Sequence, residues 1–229
     1  MEQIQTGEMI DRVASNYPRT ISVSQCHLFL GDTTDFIQQY DKLYTLLSVD
    51  EKQKAASFKF EKDRLLYVIA HGVLREVIGS YLNCDPSSIN FKIDDNGKPY
   101  ISLNHIPLQL QFSLSHSGTS FVIVVNSNEP VGVDVESIVH GNDYSSIIQN
   151  YFSENEKQQL NTSSSKENLF YQLWTQKEAI GKVSGQGVSD FKNLRLAGNY
   201  QLLSNSNNNL CYSLCFPITK EIKTFQLSS

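Results

Sequence analysis

A seven-residue pattern near position 50 returns 105 positions later. LSVDEKQ at 47–53 and FSENEKQ at 152–158 share Ser48/Ser153, Glu51/Glu156, Lys52/Lys157 and Gln53/Gln158. Leu66-Tyr67 then meets Phe170-Tyr171 at an offset of 104. Near-constant offsets in one order predict two related halves, each with a short capped helix, a long helix and strands. In both copies a serine stands three residues before a glutamate. That is the capping-box spacing, in which the hydroxyl accepts the N3 amide and the glutamate reaches back to the serine N–H. A ligand shared by two such halves belongs in the cleft between them. The other reading, two amphipathic helices alike by chance, stays open at this point.

Periodicity places the remaining elements. Leu65, Ile69, Val73 and Val77 form one stripe of a helix over 61–80, widened by Leu66, Val68, Leu74 and Ile78. A second long helix is predicted over 166–183, and shorter ones over 34–47 and from 49. Alternating or β-rich runs predict strands at 21–30, 89–93, 110–114, 120–126, 131–136, 191–197, 200–203 and 210–216. Asp94–Gly97 and Ser115–Thr119 read as turns, 161–165 as a loop and 205–209 as a hairpin tip.

Composition excludes several classes. A chain of 229 residues with 12 Phe and 11 Tyr has the apolar surface for a sizeable core, which argues against disorder. Nineteen basic against 24 acidic residues leave a net charge of −5, unsuited to nucleic acid as the main partner. No apolar run approaches the ~20 residues that span a bilayer, so no membrane role is expected. The start carries Glu2, Glu8 and Asp11 and has no apolar stretch of the kind found in signal peptides. Four scattered cysteines are too few for a disulfide scaffold. Cys211 and Cys215 in LCYSLCF read as sheet cysteines rather than metal ligands. The expectation is a reduced, cytoplasmic protein.

Three segments carry chemistry. In VGVDVE, Asp134 and Glu136 are two apart and share one face of a strand, while Val131, Val133 and Val135 take the other. The pair suits a hard divalent cation or a solvated sheet face, and the segment alone does not choose. In LWTQKEAIGK, Trp174, Glu178 and Lys182 share one side of a helix. As a surface ion pair Glu178–Lys182 would be worth about 0.3–0.5 kcal/mol; the functional reading makes Glu178 a ligand or base and Lys182 a phosphate contact. Gly181, Gly185 and Gly187 weaken the end of that helix. FSLSHSG sets His116 among Ser113, Ser115 and Ser117. No G-x-S-x-G elbow is present, so a phosphate-contacting turn fits better than a serine nucleophile with a histidine base.

In order along the chain these segments resemble the 4′-phosphopantetheinyl transferases of the surfactin-synthetase-activating type. That family carries G-[IV]-D-[IV]-E, F-[ST]-x-x-E and W-x-x-K-E-[AS]-x-x-K. Here stand Gly132-Val133-Asp134-Val135-Glu136, then Phe152-Ser153-Glu154-Asn155-Glu156, then Trp174 to Lys182 with Lys177-Glu178-Ala179. Gly97-Lys98-Pro99 and Ser115-His116-Ser117 match upstream. The resemblance covers roughly residues 45–195 and departs at Gly181, where many relatives carry a large apolar side chain. The last ~35 residues match nothing specific.

The resemblance implies an α/β (α+β) pseudo-twofold monomer: 1–125 as the adenosine-binding half, 126–229 as the half with the carboxylates, and the active site between them. It implies transfer of 4′-phosphopantetheine from coenzyme A to a serine of an acyl or peptidyl carrier protein. Asp134, Glu136 and Glu178 would hold Mg²⁺, with Mn²⁺ as the alternative. Glu178 would take the serine proton and Lys182 would contact phosphate. Lys54, Lys98, Pro99, Ser115 and His116 would hold the nucleotide end, with Lys52, Arg64 and Arg75 as further basic residues to place. The carrier would dock near 137–151. Two readings from other classes remain at this point: Mg²⁺-dependent phosphotransfer on another nucleotide, and a carrier-binding module without turnover.

Overall fold

The computed structural model describes residues 11–14, 16–102, 110–185 and 191–228. Both capping boxes form. Ser48 and Glu51 open α2 (Val49–Ala56), and Ser153 and Glu156 open α5 (Glu154–Thr162), each with the reciprocal pair of bonds. Each leads into a long helix, α3 (Glu61–Leu82) and α6 (Lys166–Ser184). The repeat seen in the sequence is thus a repeat of structure. Before α2, the stretch expected as one helix divides into a 3-10 segment, Thr33–Gln39, and α1 (Tyr40–Leu46).

Each long helix covers one sheet, and the two sheets face each other. The first sheet runs β1 (Asp11–Ala14), β10 (Glu221–Ser228), β2 (Gln25–Asp32), β6 (Ser120–Ser127), β5 (Leu110–Ser117) in space. The second runs β7 (Gly132–Ser137), β9 (Leu210–Pro217), β8 (Tyr200–Ser206). Strand alternation builds both interiors. Phe29, Phe121, Ile123 and Val125 pack beneath α3 with Ile69, Val73 and Val77. The opposite face, Cys26, Leu28, Val122 and Val124, packs on Val131, Val133, Val135, Leu214 and Phe216 of the second sheet. With the valines of β7 turned to that interior, Asp134 and Glu136 turn away from it. A Cβ on Gly132 would stand 2.1 Å from the Ala179 carbonyl oxygen, so only glycine lets α6 lie this close to β7.

Several expectations are corrected. Residues 191–197 form no strand; Phe191 packs edge-on against Tyr151 and Trp174 instead. The run 115–117 lies inside β5, and the turn shrinks to Gly118-Thr119, with Gly118 at φ +64°. The end of the chain, which matched nothing, supplies β10, paired parallel to both β1 and β2. The division at 125/126 is therefore crossed, because the last strand completes the sheet of the first half. A 3-10 segment, Pro86–Ser88, a short helix, α4 (Ser145–Tyr151), and a small hairpin of β3 (Phe91–Ile93) and β4 (Pro99–Ile101) complete the described elements. By length and composition α3 is apolar enough to cross a membrane, contrary to the sequence expectation, but 78% of that window is buried against the sheet and neighbouring elements. Gly187 lies outside the described residues.

Candidate active site

β5 divides the site between its two faces. Phe112 and Leu114 turn toward α3, and His116 follows them. Ser113, Ser115 and Ser117 turn the other way, onto β7. The side chains of Ser115 and His116 thus point to opposite faces of β5. The Ser115 hydroxyl, expected at the nucleotide, donates to Asp134 Oδ1 at 2.8 Å.

The carboxylates sit on the second-half side. Asp134 is 5% exposed, and its Oδ1 takes both Ser115 and the Lys182 ammonium, each at 2.8 Å. Its Oδ2 is buried with no hydrogen-bond partner among the described residues. Glu136 accepts from the Ser117 hydroxyl at 3.0 Å. Burial and then the neighbouring Asp134 push the Glu136 carboxyl up, while Ser117, Trp174 and Lys182 oppose the rise. Glu178 is pushed up to about 7, by burial first and then by Asp134 and Glu136, with Lys182 opposing. Among the described residues no group of three His, Cys, Asp or Glu side chains is drawn together as a closed ligand set. Asp134 lies near enough to raise both Glu136 and Glu178, and the cation standing on Asp134 is Lys182. Lys182 also donates to the Val133 carbonyl at 2.9 Å, so two of its three N–H bonds are used.

The first-half side is basic and aromatic. His71 on α3 faces His116 with ring centroids 6.4 Å apart. Tyr67 stacks on His71 at 4.0 Å, and Phe58 leans on Tyr67 at 5.4 Å. The Lys54 ammonium lies over Phe58, so Lys54 stands at the outer end of a file of rings that reaches His116. Burial, then His71, holds the His116 imidazole at about 4. Lys98 follows the Gly97 turn, and its Nζ is buried with no partner among the described residues. Burial pulls that ammonium down. The hairpin carrying Lys98 and Pro99 reaches across to the second half, where Asn96 lies against Gly185, the left-handed cap of α6.

The remaining basic residues serve elsewhere. Lys52 donates to the Thr45 carbonyl, and Arg64 pairs with Glu61 at 3.3 Å on the surface. Arg75 is neither a phosphate contact nor a partner of Glu76. It is 1% exposed and gives its guanidinium to Glu51 at 2.7 Å and to the carbonyls of Pro86 and Ile89. Sequence reasoning missed His71, Ser117 and the contact of Trp174 with Glu136. Ser117 had a signal, serine at every second position of SLSHS; reading the run as a turn concealed that period of two.

Comparison with known proteins covers most of the chain. A model of the 4′-phosphopantetheinyl transferase superfamily matches residues 130–220, and one of the 4′-phosphopantetheinyl transferase N-terminal region matches 35–129. The chain is 28% identical over 180 residues to the 4′-phosphopantetheinyl transferase HetI of Nostoc sp., covering 78% of this chain and 76% of that protein. It is 28% identical over 154 residues to the 4′-phosphopantetheinyl transferase Sfp of Bacillus subtilis, 66% of each. It is 27% identical over 157 residues to the L-aminoadipate-semialdehyde dehydrogenase-phosphopantetheinyl transferase of Schizosaccharomyces pombe, 62% of this chain and 60% of that one. The aligned stretches thus span between three fifths and about three quarters of these relatives.

Proposed function

We propose, from the premise that this chain belongs to the 4′-phosphopantetheinyl transferase superfamily, that its cleft moves 4′-phosphopantetheine from coenzyme A to a serine of an apo acyl or peptidyl carrier protein. The observation that carries this reading is the grouping of three carboxylates, Asp134, Glu136 and Glu178, on the second-half side with two facing imidazoles, His71 and His116, on the first-half side. A pyrophosphate with a 3′-phosphorylated adenosine needs both. Phosphotransfer to another nucleotide and a carrier-binding module without turnover are not favoured. The relatives are named transferases of this one kind, and a decayed site would be expected to lose a costly buried carboxylate.

The reaction breaks the bridging P–O bond of the pyrophosphate and forms a bond from phosphorus to the serine oxygen. Adenosine 3′,5′-bisphosphate leaves. Glu178 takes the serine proton, directly or through a water. Lys182 keeps one N–H for a phosphate oxygen while it anchors Asp134. His116, Lys98 and Lys54 hold the nucleotide end, with Pro99 shaping the hairpin that brings Lys98 in. The residues fit a divalent cation, because Asp134 Oδ2 is a buried oxygen without a partner beside two further anions. Asp134, Glu136 and Glu178 would hold Mg²⁺, or Mn²⁺ in its place. Such an ion supplies neutralisation of charge on the pyrophosphate oxygens. Four free cysteines suit a reduced cytoplasm, where a monomer of this kind would meet its carriers.

Incubation with coenzyme A, Mg²⁺ and a panel of apo carriers, read by intact mass and by release of adenosine 3′,5′-bisphosphate, tests the reading. Absence of both products would overturn it. His116→Ala is expected to raise KM for coenzyme A roughly ten- to hundredfold more than KM for its 3′-dephospho form, since a hydrogen bond to a charged group is worth about 1.5–3 kcal/mol. Equal effects on the two substrates would remove His116 from the 3′-phosphate.

The carrier docks beside the cleft, at 137–151. Ile147 and Ile148 pack partly into the cluster around Phe152 and Phe170, which leaves Val139, 50% exposed, as the accessible apolar side chain there. Val139→Asp is expected to raise KM for the carrier several-fold and leave KM for coenzyme A unchanged. This segment holds no Lys or Arg, so physiological salt is expected to change the carrier KM only a few-fold. A steep salt dependence would relocate the docking face.

A further inference from the structure

β5 and β7 are edge strands of different sheets, yet they lie against each other. Serine side chains, rather than a backbone ladder, close the seam. Ser113 Oγ accepts the Val133 amide at 3.2 Å, and Ser117 Oγ accepts the Ser137 amide at 3.0 Å. A Cβ on Gly118 would stand 2.3 Å from Ser137 Oγ, so the strands are close here as well. Two of the three serines also use their hydroxyl protons. Ser115 donates to Asp134 Oδ1 at 2.8 Å and Ser117 to Glu136 Oε2 at 3.0 Å. Each hydroxyl has one proton to give, and both go to the carboxylates the reaction needs.

We propose that Ser115 and Ser117 are positioning residues that set the rotation of Asp134 and Glu136 and thereby which oxygen each offers to a cation. This rests on the reading of those carboxylates as cation ligands. On Asp134 the effect is explicit. Ser115 and Lys182 together occupy Oδ1, and the oxygen left without a partner is Oδ2. Without the hydroxyl, a carboxylate beside another anion turns away from it, and ordering it again is charged to cation binding. Hydrogen bonds of this kind to metal-ligating groups change affinity by about 10- to 100-fold. Ser113 is the internal control, because it joins the same seam and, among the described residues, its hydroxyl meets no carboxylate.

The experiment measures Mn²⁺ binding by electron paramagnetic resonance of the free ion, with and without coenzyme A, on the full chain and its variants. Melting temperatures are taken in parallel. Ser117→Ala and Ser115→Ala are expected to weaken Mn²⁺ binding at least tenfold, and Ser117→Thr, which keeps the hydroxyl, to restore it to within about threefold. Ser113→Ala is expected to lower the melting temperature with the Mn²⁺ affinity unchanged. Full Mn²⁺ affinity in both alanine variants at 115 and 117 would overturn the proposal. So would equal loss in Ser113→Ala, or unfolding of both variants, since the stripe would then be a structural seam only. Failure of the unsubstituted protein to bind Mn²⁺ at all would instead remove the cation reading on which the proposal stands.

Discussion

Glu178→Gln is expected to lower kcat for carrier modification by about a hundred- to ten-thousandfold, the range spanned by loss of a positioned acid–base group. The fold should survive, because the substitution removes charge from a place where charge is unwelcome. Burial and then Asp134 hold the Glu178 carboxyl at about 7 against an ordinary 4.5. In the metal-free protein the folded state therefore keeps this proton after the unfolded state has lost it. Stability attributable to the group falls as pH rises from about 4.5 through about 7. The glutamine variant should lack that decline and melt at least as high as the parent at pH 8. Near-normal turnover in Glu178→Gln would remove the residue from the chemistry. A variant that unfolds would show that the carboxylate is a structural partner.

Arg75→Met is expected to destabilise the protein by about 3–5 kcal/mol, the cost of leaving a buried charge without its partner. For a chain of this size that is roughly 6–20 °C in Tm. The methionine keeps the volume of the stem but strands Glu51, 13% exposed, and the carbonyls of Pro86 and Ile89. Burial favours protonation of Glu51, yet bonds from His71, Ser48 and Arg75 outweigh it and hold the carboxyl at about 2. Its stabilising contribution is complete above about 4.5 and is lost as pH falls toward 2. The variant should lose most of that acid dependence. Adding Glu51→Gln to Arg75→Met should recover part of the lost stability, because no uncompensated charge then remains. The same glutamate caps α2 and sits on His71, so KM for coenzyme A should rise in Arg75→Met. Thermal unfolding from pH 3 to 8 and a KM measurement check both halves. An Arg75→Met protein within about 1 kcal/mol of the parent would refute the buried-pair assignment.

The second half solves the same problem with other residues. Glu156, the partner of Glu51 in the repeat, pairs with Lys177 at 2.8 Å, and Lys177 also caps the Phe191 carbonyl. The residue offset-matched to Arg75 is Ala179, which is buried under Gly132. A capping-box glutamate that also meets a buried cation of the long helix is the shared device; the position of the cation and the oxygen it takes are not shared, for Arg75 bonds the Glu51 oxygen that caps Ser48 and Lys177 bonds the other oxygen of Glu156.

What the sequence by itself determined is local or periodic. The two capping boxes follow from serine and glutamate three apart, and α3 and α6 from stripes near 3.6. The facing of Asp134 and Glu136 away from the valines of β7 follows from a period of two. These depend on neighbours within one element, so a linear reading finds them. The tertiary structure alone decided three other matters. β10 crosses into the sheet of the first half, because edge strands find partners by exposed backbone groups rather than by position in the chain. Arg75 went to the core because Glu51 of α2 and the carbonyls of Pro86 and Ile89, from two separate segments, met at one buried point. The separation of Ser115 from His116 followed from β5 extending through Ser117, a length set by pairing with Phe121 and Ser120 of β6. Once that strand is paired, alternation sends the imidazole to the basic half and the hydroxyls to the carboxylates. The cleft thus has two chemistries because one strand has two faces.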